Sequence, residues 1–279
     1  MTETTLFSAE RFVGYVALGF GTGLYGTLIG AGGGFVLMPI LLLLFPKESP
    51  EQLTSISLAV VFFNALGGSE AYALMRRIDY RSGLMFAAAT IPGAILGALN
   101  TGYVPRTLFD AVFGILLVAG AAFLLIRTNK RESVEVRHYQ YKISRHLVEA
   151  NGVVFDYSFN PLVGIGLSFV VGYVSSFLGI GGGIIHVPAM TYFLNFPVHV
   201  ATATSHFVLS IMAFTGTMTH VVTGTFPHNA NLTLSLAIGA LLGAPLGAHL
   251  SGLIRGNWII RGLALALIVV GLRILAMAI

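Results

Sequence analysis

Ten apolar runs, at about residues 12–30, 34–46, 52–75, 82–101, 106–127, 161–178, 183–196, 200–223, 230–252 and 257–278, occupy most of this chain. They cannot all be hidden in one soluble core, because ordinary domains carry about 25% charged residues, largely on their surfaces. Here 56% of the 279 residues are hydrophobic and 9% charged. The excess must face lipid, where only helices and closed barrels satisfy every backbone group. Leu, Ala, Ile and Gly dominate the runs, so the expected fold is an all-α integral membrane protein with about 8–10 transmembrane segments. Two runs, 34–46 and 183–196, are too short to cross about 30 Å of hydrocarbon and read as broken or re-entrant half-helices. Residues Met1 to Arg11 carry Glu3, Glu10 and Arg11, unlike a basic, cleavable secretory signal, so the first run is expected to stay.

The runs form two sets of five. Gly30-Ala31-Gly32-Gly33-Gly34-Phe35-Val36-Leu37-Met38-Pro39 matches Gly179-Ile180-Gly181-Gly182-Gly183-Ile184-Ile185-His186-Val187-Pro188 at an offset of 149 residues. The offset becomes 150 for Thr54-Ser55 against Thr204-Ser205 and stays there for Gly93 to Ala98 against Gly243 to Ala248. The expected organisation is a first transmembrane repeat over 1–127, a cytosolic linker over 128–160 and a second, inverted repeat over 161–279. From Ser133 to Tyr157 the linker alternates apolar and polar residues around Asn151-Gly152, which reads as a β-hairpin or, equally, as a solvated connection without fixed form.

Lys and Arg set the orientation of such a chain before they say anything about partners, and the net charge of +4 is read that way. Arg76, Arg77 and Arg81 follow the third run; Arg127, Lys130, Arg131, Arg137, Lys142 and Arg145 follow the fifth. In the second half, Gly224 to Asn231 has neither Lys nor Arg, whereas Arg255 and Arg261 flank the next turn. The halves are therefore expected to be inverted, with five segments each, both termini periplasmic and the linker cytoplasmic, in a bacterial inner membrane. Inverted repeats are a transporter architecture.

A glycine run entering a short helix loses much backbone entropy on folding and calls for a tight reversal or a close backbone approach. Broken there, each helix offers free N–H groups and about half a positive charge. Two such starts near the midplane would hold an anion through Gly32, Gly33, Gly34, Gly181, Gly182 and Gly183 without any lysine. The competing account is that the glycines only let helices pack closely.

The paired G-x-G-G-G-x-x-x-x-P motifs, the length and the absence of cysteine resemble the TauE/SafE sulfite exporter family of anion permeases, over the whole chain outside the linker. The resemblance implies transport, commonly export, of sulfite, a sulfonate or another organosulfur anion. The motifs are not identical: Phe35 stands opposite Ile184 and Leu37 opposite His186, so the two half-sites need not be equivalent.

His186, one turn into the second short helix, is a candidate to face an anion or carry a coupling proton, or else a packing histidine. Thr54, Ser55, Thr204 and Ser205 offer hydroxyls, with His206 beside them, although Ser and Thr also bond their own helix carbonyls. Asn64 offers an uncharged donor. Glu70 and His220 stand at repeat-related positions and are candidates for coupling, or, for Glu70, an interfacial partner of Arg76 or Arg77. His199, His228 and His249 fall near run ends and read as interfacial.

No G-x-x-x-x-G-K-[ST], G-x-S-x-G or H-E-x-x-H occurs, and no cysteine is available for thiolate metal sites or covalent sulfur chemistry. The expectation is a non-enzymatic secondary transporter driven by a gradient of protons or sodium, with no cofactor, no metal, no nucleic-acid partner, and a homodimer as a plausible assembly. A passive anion channel of the same architecture is the alternative.

Overall fold

The computed structural model describes residues 9–127, 142–227, 230–251 and 257–277. Lys130, Arg131, Arg137, His228 and Arg255 lie outside them. Each apolar run is a helix: α1 (Ala9–Ile29), α2 (Gly34–Leu44), α3 (Pro50–Leu74), α4 (Tyr80–Thr101), α5 (Arg106–Arg127), α6 (Pro161–Leu178), α7 (Gly183–Phe193), α8 (Val198–Val222), α9 (Ala230–Leu250) and α10 (Asn257–Met277). Helices α1, α3, α4, α6, α8 and α9 are long and apolar enough to cross a membrane. The short pair, α2 and α7, has 11 residues each.

Local chemistry sets several of these starts. Ser49 accepts from Gln52 N before Pro50, Asp79 accepts from Ser82 N, and Asn160 accepts from Leu162 N before Pro161; a side-chain oxygen at each cap satisfies a backbone donor that the helix leaves free. Helices α2 and α7 lack any such cap. Their N-caps, Gly33 and Gly182, are left-handed, with φ of 75° and 36°.

Helix α1 packs on α9 as α6 packs on α4; α3 packs on α8, with α3 also on α9 and α8 also on α4; α5 packs on α10. A methyl group on Gly93 or Gly243 would strike the backbone of α6 or α1, so small residues set the distance of these pairs.

The fold is helical but not wholly so. Strands β1 (Ile143–Val148) and β2 (Val154–Phe159) form an antiparallel hairpin with Ile143 opposite Phe159 and Val148 opposite Val154. Its turn is the Asn151-Gly152 pair: Asn151 Oδ1 accepts from Val153 N at 3.0 Å and Gly152 has φ 86°. Tyr157 and Phe159 face inward, onto Phe86, Leu194 and Phe196.

Candidate functional site

The two glycine breaks abut. A Cβ on Gly34 would lie 2.7 Å from Ile180 C and O, and one on Gly183 would lie 2.5 Å from Gly30 O and 2.7 Å from Ala31 Cα. Each break therefore sits where only a glycine backbone leaves room for the other. Val61 of α3 lies against Gly34 and Gly181, and Leu209 of α8 against Gly32.

The same hydrogen-bond pattern recurs in both. Gly34 N donates to Gly32 O, as Gly183 N does to Gly181 O; Val36 and Leu37 N donate to Gly33 O, as Ile185 and His186 N do to Gly182 O. Among the described residues no backbone carbonyl accepts from Gly33 N, Phe35 N, Gly182 N or Ile184 N. The free donors are thus not those of Gly34 and Gly183, which close one-residue turns, but those of the residues on either side.

Around the α2 start the polar groups are an amide and an imidazole. Asn64 accepts from Thr27 Oγ1 at 2.9 Å, while its Nδ2 is buried without a partner beside Gly33. His206 contacts Thr202 O through Nδ1 at 3.2 Å and leaves Nε2 unpartnered over Gly68. Tyr72 donates to Thr27 O and lies edge-on to the His206 ring.

Around the α7 start they are hydroxyls and the imidazole of His186. Ser175 Oγ and Ser205 Oγ are buried and unpartnered, the first close to Gly182. A cavity of about 10 Å³ is lined by Thr90, Val171, Gly182, Gly183, His186 and Ser205, among others. His186 Nε2 lies 3.3 Å from Ser168 Oγ and its ring 6.1 Å from that of Phe86.

The structure thus gathers Gly32, Gly33, Gly34, Gly181, Gly182, Gly183, Asn64, His186, Ser205 and His206 at the breaks. Thr54 is close by, its Cα against Gly179 and its hydroxyl unpartnered. Two expected donors are otherwise engaged: Ser55 Oγ donates to Gln52 O within its own helix, and Thr204 Oγ1 accepts from Asp79 N. Glu70 is exposed, whereas His220 is buried and 3.0 Å from Thr225 Oγ1, so the repeat-related pair has no common environment. Arg77 pairs with Glu149 of the hairpin turn at 3.0 Å. Sequence reading missed Thr27, Thr90, Ser168 and Ser175, and also Ser176, whose buried, unpartnered hydroxyl lies against Gly216 of α8. The repeat held a signal for some of them, since Ser176 lies 149 residues after Thr27, each one turn before its glycine run.

The family described as Sulfite exporter TauE/SafE matches residues 15–274. The chain is 33% identical over 270 residues to the probable membrane transporter protein YunE of Bacillus subtilis (strain 168), covering 95% of this chain and 97% of that one. It is 24% identical over 237 residues to a probable membrane transporter protein of Methanocaldococcus jannaschii, covering 83% and 80%, and 26% identical over 250 residues to one of Sinorhizobium sp., covering 89% and 86%. No solved structure matches. These relatives are named as transporters, not as enzymes, and between 80% and 97% of their own length is covered. With its apolar helices and its abutting helix breaks, the chain is a multi-pass membrane transporter that belongs to the sulfite exporter TauE/SafE family.

Proposed function

We propose that the chain is a secondary transporter that exports a small sulfur-containing anion, sulfite or a sulfonate, held between the starts of α2 and α7. The family description supports the substrate class. One observation carries the site: two uncapped helix starts pressed together, four of their N–H groups without a backbone acceptor, and unpartnered buried donors on Asn64, Ser175 and Ser205 around them. A helix start presents about half a positive charge, and two of them attract an anion without the desolvation of a buried lysine.

A cavity of about 10 Å³ has room for about one water and none for an oxyanion. Binding therefore requires the helices around it, α8 above all, to move away from the breaks. That favours alternating access over a standing channel. The contacts of α1 with α9 and α6 with α4 exchange under the 149–150 offset, which supports two related halves over 1–127 and 161–279. Five segments per half, with the arginine distribution, support inverted insertion in an inner membrane, both termini periplasmic and residues 128–160 cytosolic. Protons and sodium are the candidate coupling ions.

A binding screen of sulfite, thiosulfate, sulfate, sulfoacetate and taurine on purified protein tests the anion site, with saturable binding of at least one sulfur anion expected. Failure of all five sinks it. Flux in proteoliposomes with and without proton and sodium ionophores separates the mechanisms: flux indifferent to both belongs to a channel.

A further inference from the structure

We infer that the β-hairpin is the gate of one mouth of the transport path, lifting and reseating over the turn between α7 and α8 in each cycle. The inference rests on the transport reading above. A single ring, that of Phe86 on α4, separates the hairpin from the cavity at the α7 start. Its centroid lies 5.7 Å from Phe159 of β2, 6.0 Å from Phe196 of the α7–α8 turn and 6.1 Å from His186, which lines the cavity. The hairpin reaches the turn again through Asn195 Nδ2, which donates to Ser158 O at 3.3 Å.

A polar latch fastens it. Tyr157 OH donates to Asp79 Oδ2 at 2.8 Å, and Arg145 Nε lies 3.3 Å from the same oxygen and donates to Ser82 Oγ at 3.1 Å. Burial, and then the neighbouring Asp79 carboxylate, push the Tyr157 phenol well above its ordinary range, so it stays a donor at any physiological pH. Asp79 N in turn donates to Thr204 Oγ1, and the next residue, Ser205, lines the cavity. The latch is thus one residue removed from the binding surface.

The opposite mouth carries no such cover among the described residues. A cavity of about 190 Å³ opens there, lined by Phe45, Glu48, Gln52, Pro227 and Leu232, among others. Pro227 and Leu232 stand 150 residues after Arg77 and Ser82, the residues that hold Glu149 and Arg145 of the hairpin. Where the hairpin docks on one side, the repeat leaves an opening on the other. The turn at that mouth is instead tied to the bundle by Arg106 of α5, which donates to Leu42 O and Glu48 O and pairs with Asp110. One turn is held by a scaffold helix, the other by a separate module with its own latch, which marks the second as the moving one.

Two measurements decide it. Ser158→Cys with Asn195→Cys, in a chain with no native cysteine, is bridged by a short bis-methanethiosulfonate, and sulfite flux is followed in proteoliposomes. Bridging is expected to lower flux at least about tenfold, with recovery on reduction and no effect in either single variant. Bridged protein that transports at the parent rate overturns the gate. Independently of any substrate, Ser205→Cys is labelled by a small charged methanethiosulfonate from the hairpin side. Adding Tyr157→Phe or Asp79→Asn is expected to raise the labelling rate about tenfold, the population shift that loss of a hydrogen bond to a charged group gives. No rise in either also overturns it. Parent protein that passes no sulfite leaves the labelling result to stand alone and counts against the substrate, not the gate.

Discussion

At the α2 start the Asn64 amide lies beside the left-handed Gly33, with the His206 imidazole farther off against Gly68 of α3; at the α7 start the hydroxyls of Ser175 and Ser205 lie at Gly182, with His186 lining the same cavity. The backbones repeat nearly bond for bond. The reason is steric: each break fills the notch that the other leaves, so its course is fixed by its partner, while the side chains facing away from that contact are free to differ. The helix ends diverge in the same way, α2 tied down by Arg106 and α7 covered by the hairpin.

The largest expected effect tests the shared part. In Gly34→Ala the new methyl meets Ile180 C and O at 2.7 Å, and in Gly183→Ala it meets Gly30 O at 2.5 Å, both immovable backbone. Each should destabilise by more than the roughly 1–3 kcal/mol of ordinary overpacking. Thermal unfolding in detergent should show both proteins markedly less stable, and by similar amounts. If one tolerates the methyl and the other does not, the abutment is not mutual. Gly33→Ala and Gly182→Ala place a side chain at left-handed φ, for about 1–2 kcal/mol each, and their closest contacts, 2.9 Å to Thr22 O and to Ser175 Oγ, are milder than those at Gly34 and Gly183. They should fold less stably and lose anion affinity. Unchanged affinity in both rejects the half-helix site in favour of mere close packing.

The next tests the part that differs. Asn64→Asp sets a carboxylate beside the α2 start, where it would satisfy the helix dipole and exclude a second anion. Sulfite affinity should fall at least about tenfold while stability holds or rises. Ser205→Ala removes one hydroxyl from the other lining and should cost a few-fold in affinity, the scale of a single hydrogen bond. Calorimetric titration of both variants compares them directly, and equal losses would mean that the anion sits symmetrically between the linings.

Much of this was readable in the sequence because the signals are local. Ten apolar runs gave ten helices to within a few residues, since Ser49, Asp79 and Asn160 cap them and Pro50 and Pro161 open them. The hairpin turn was visible in Asn151-Gly152, and the offset of 149 residues paired the two glycine runs that abut in the fold. What could not be read is where a hydroxyl points. Ser55 and Ser205 occupy the same place in a repeated Thr-Ser pair, yet Ser55 bonds Gln52 O and Ser205 bonds nothing. Thr54 and Thr204 part company because Asp79 N, from another helix start, reaches only Thr204. Asp79 stands in sequence among Arg76, Arg77 and Arg81, and no expectation attached to it. Its role comes from the docked hairpin, a contact between segments about 70 residues apart that no local pattern announces.

The smallest expected effect concerns the pair that the repeat places together and the fold does not. Glu70 and His220 stand 150 residues apart, but Glu70 is exposed on α3 while His220 is buried in the last turn of α8, against Thr225. An exposed carboxylate is screened within about 10 Å, and one near the path would repel an anion rather than hold it. Glu70→Gln should therefore change sulfite affinity by less than about twofold. His220→Gln removes a buried ring and its contact to Thr225, so it should lower thermal stability, by about 1 kcal/mol, with affinity again nearly unchanged. Both are measured by titration in detergent with unfolding as the control. A tenfold loss in Glu70→Gln would extend the site from the breaks to the far ends of α3 and α8, and would make the unlike linings of the two starts secondary to an ion pathway that runs past them.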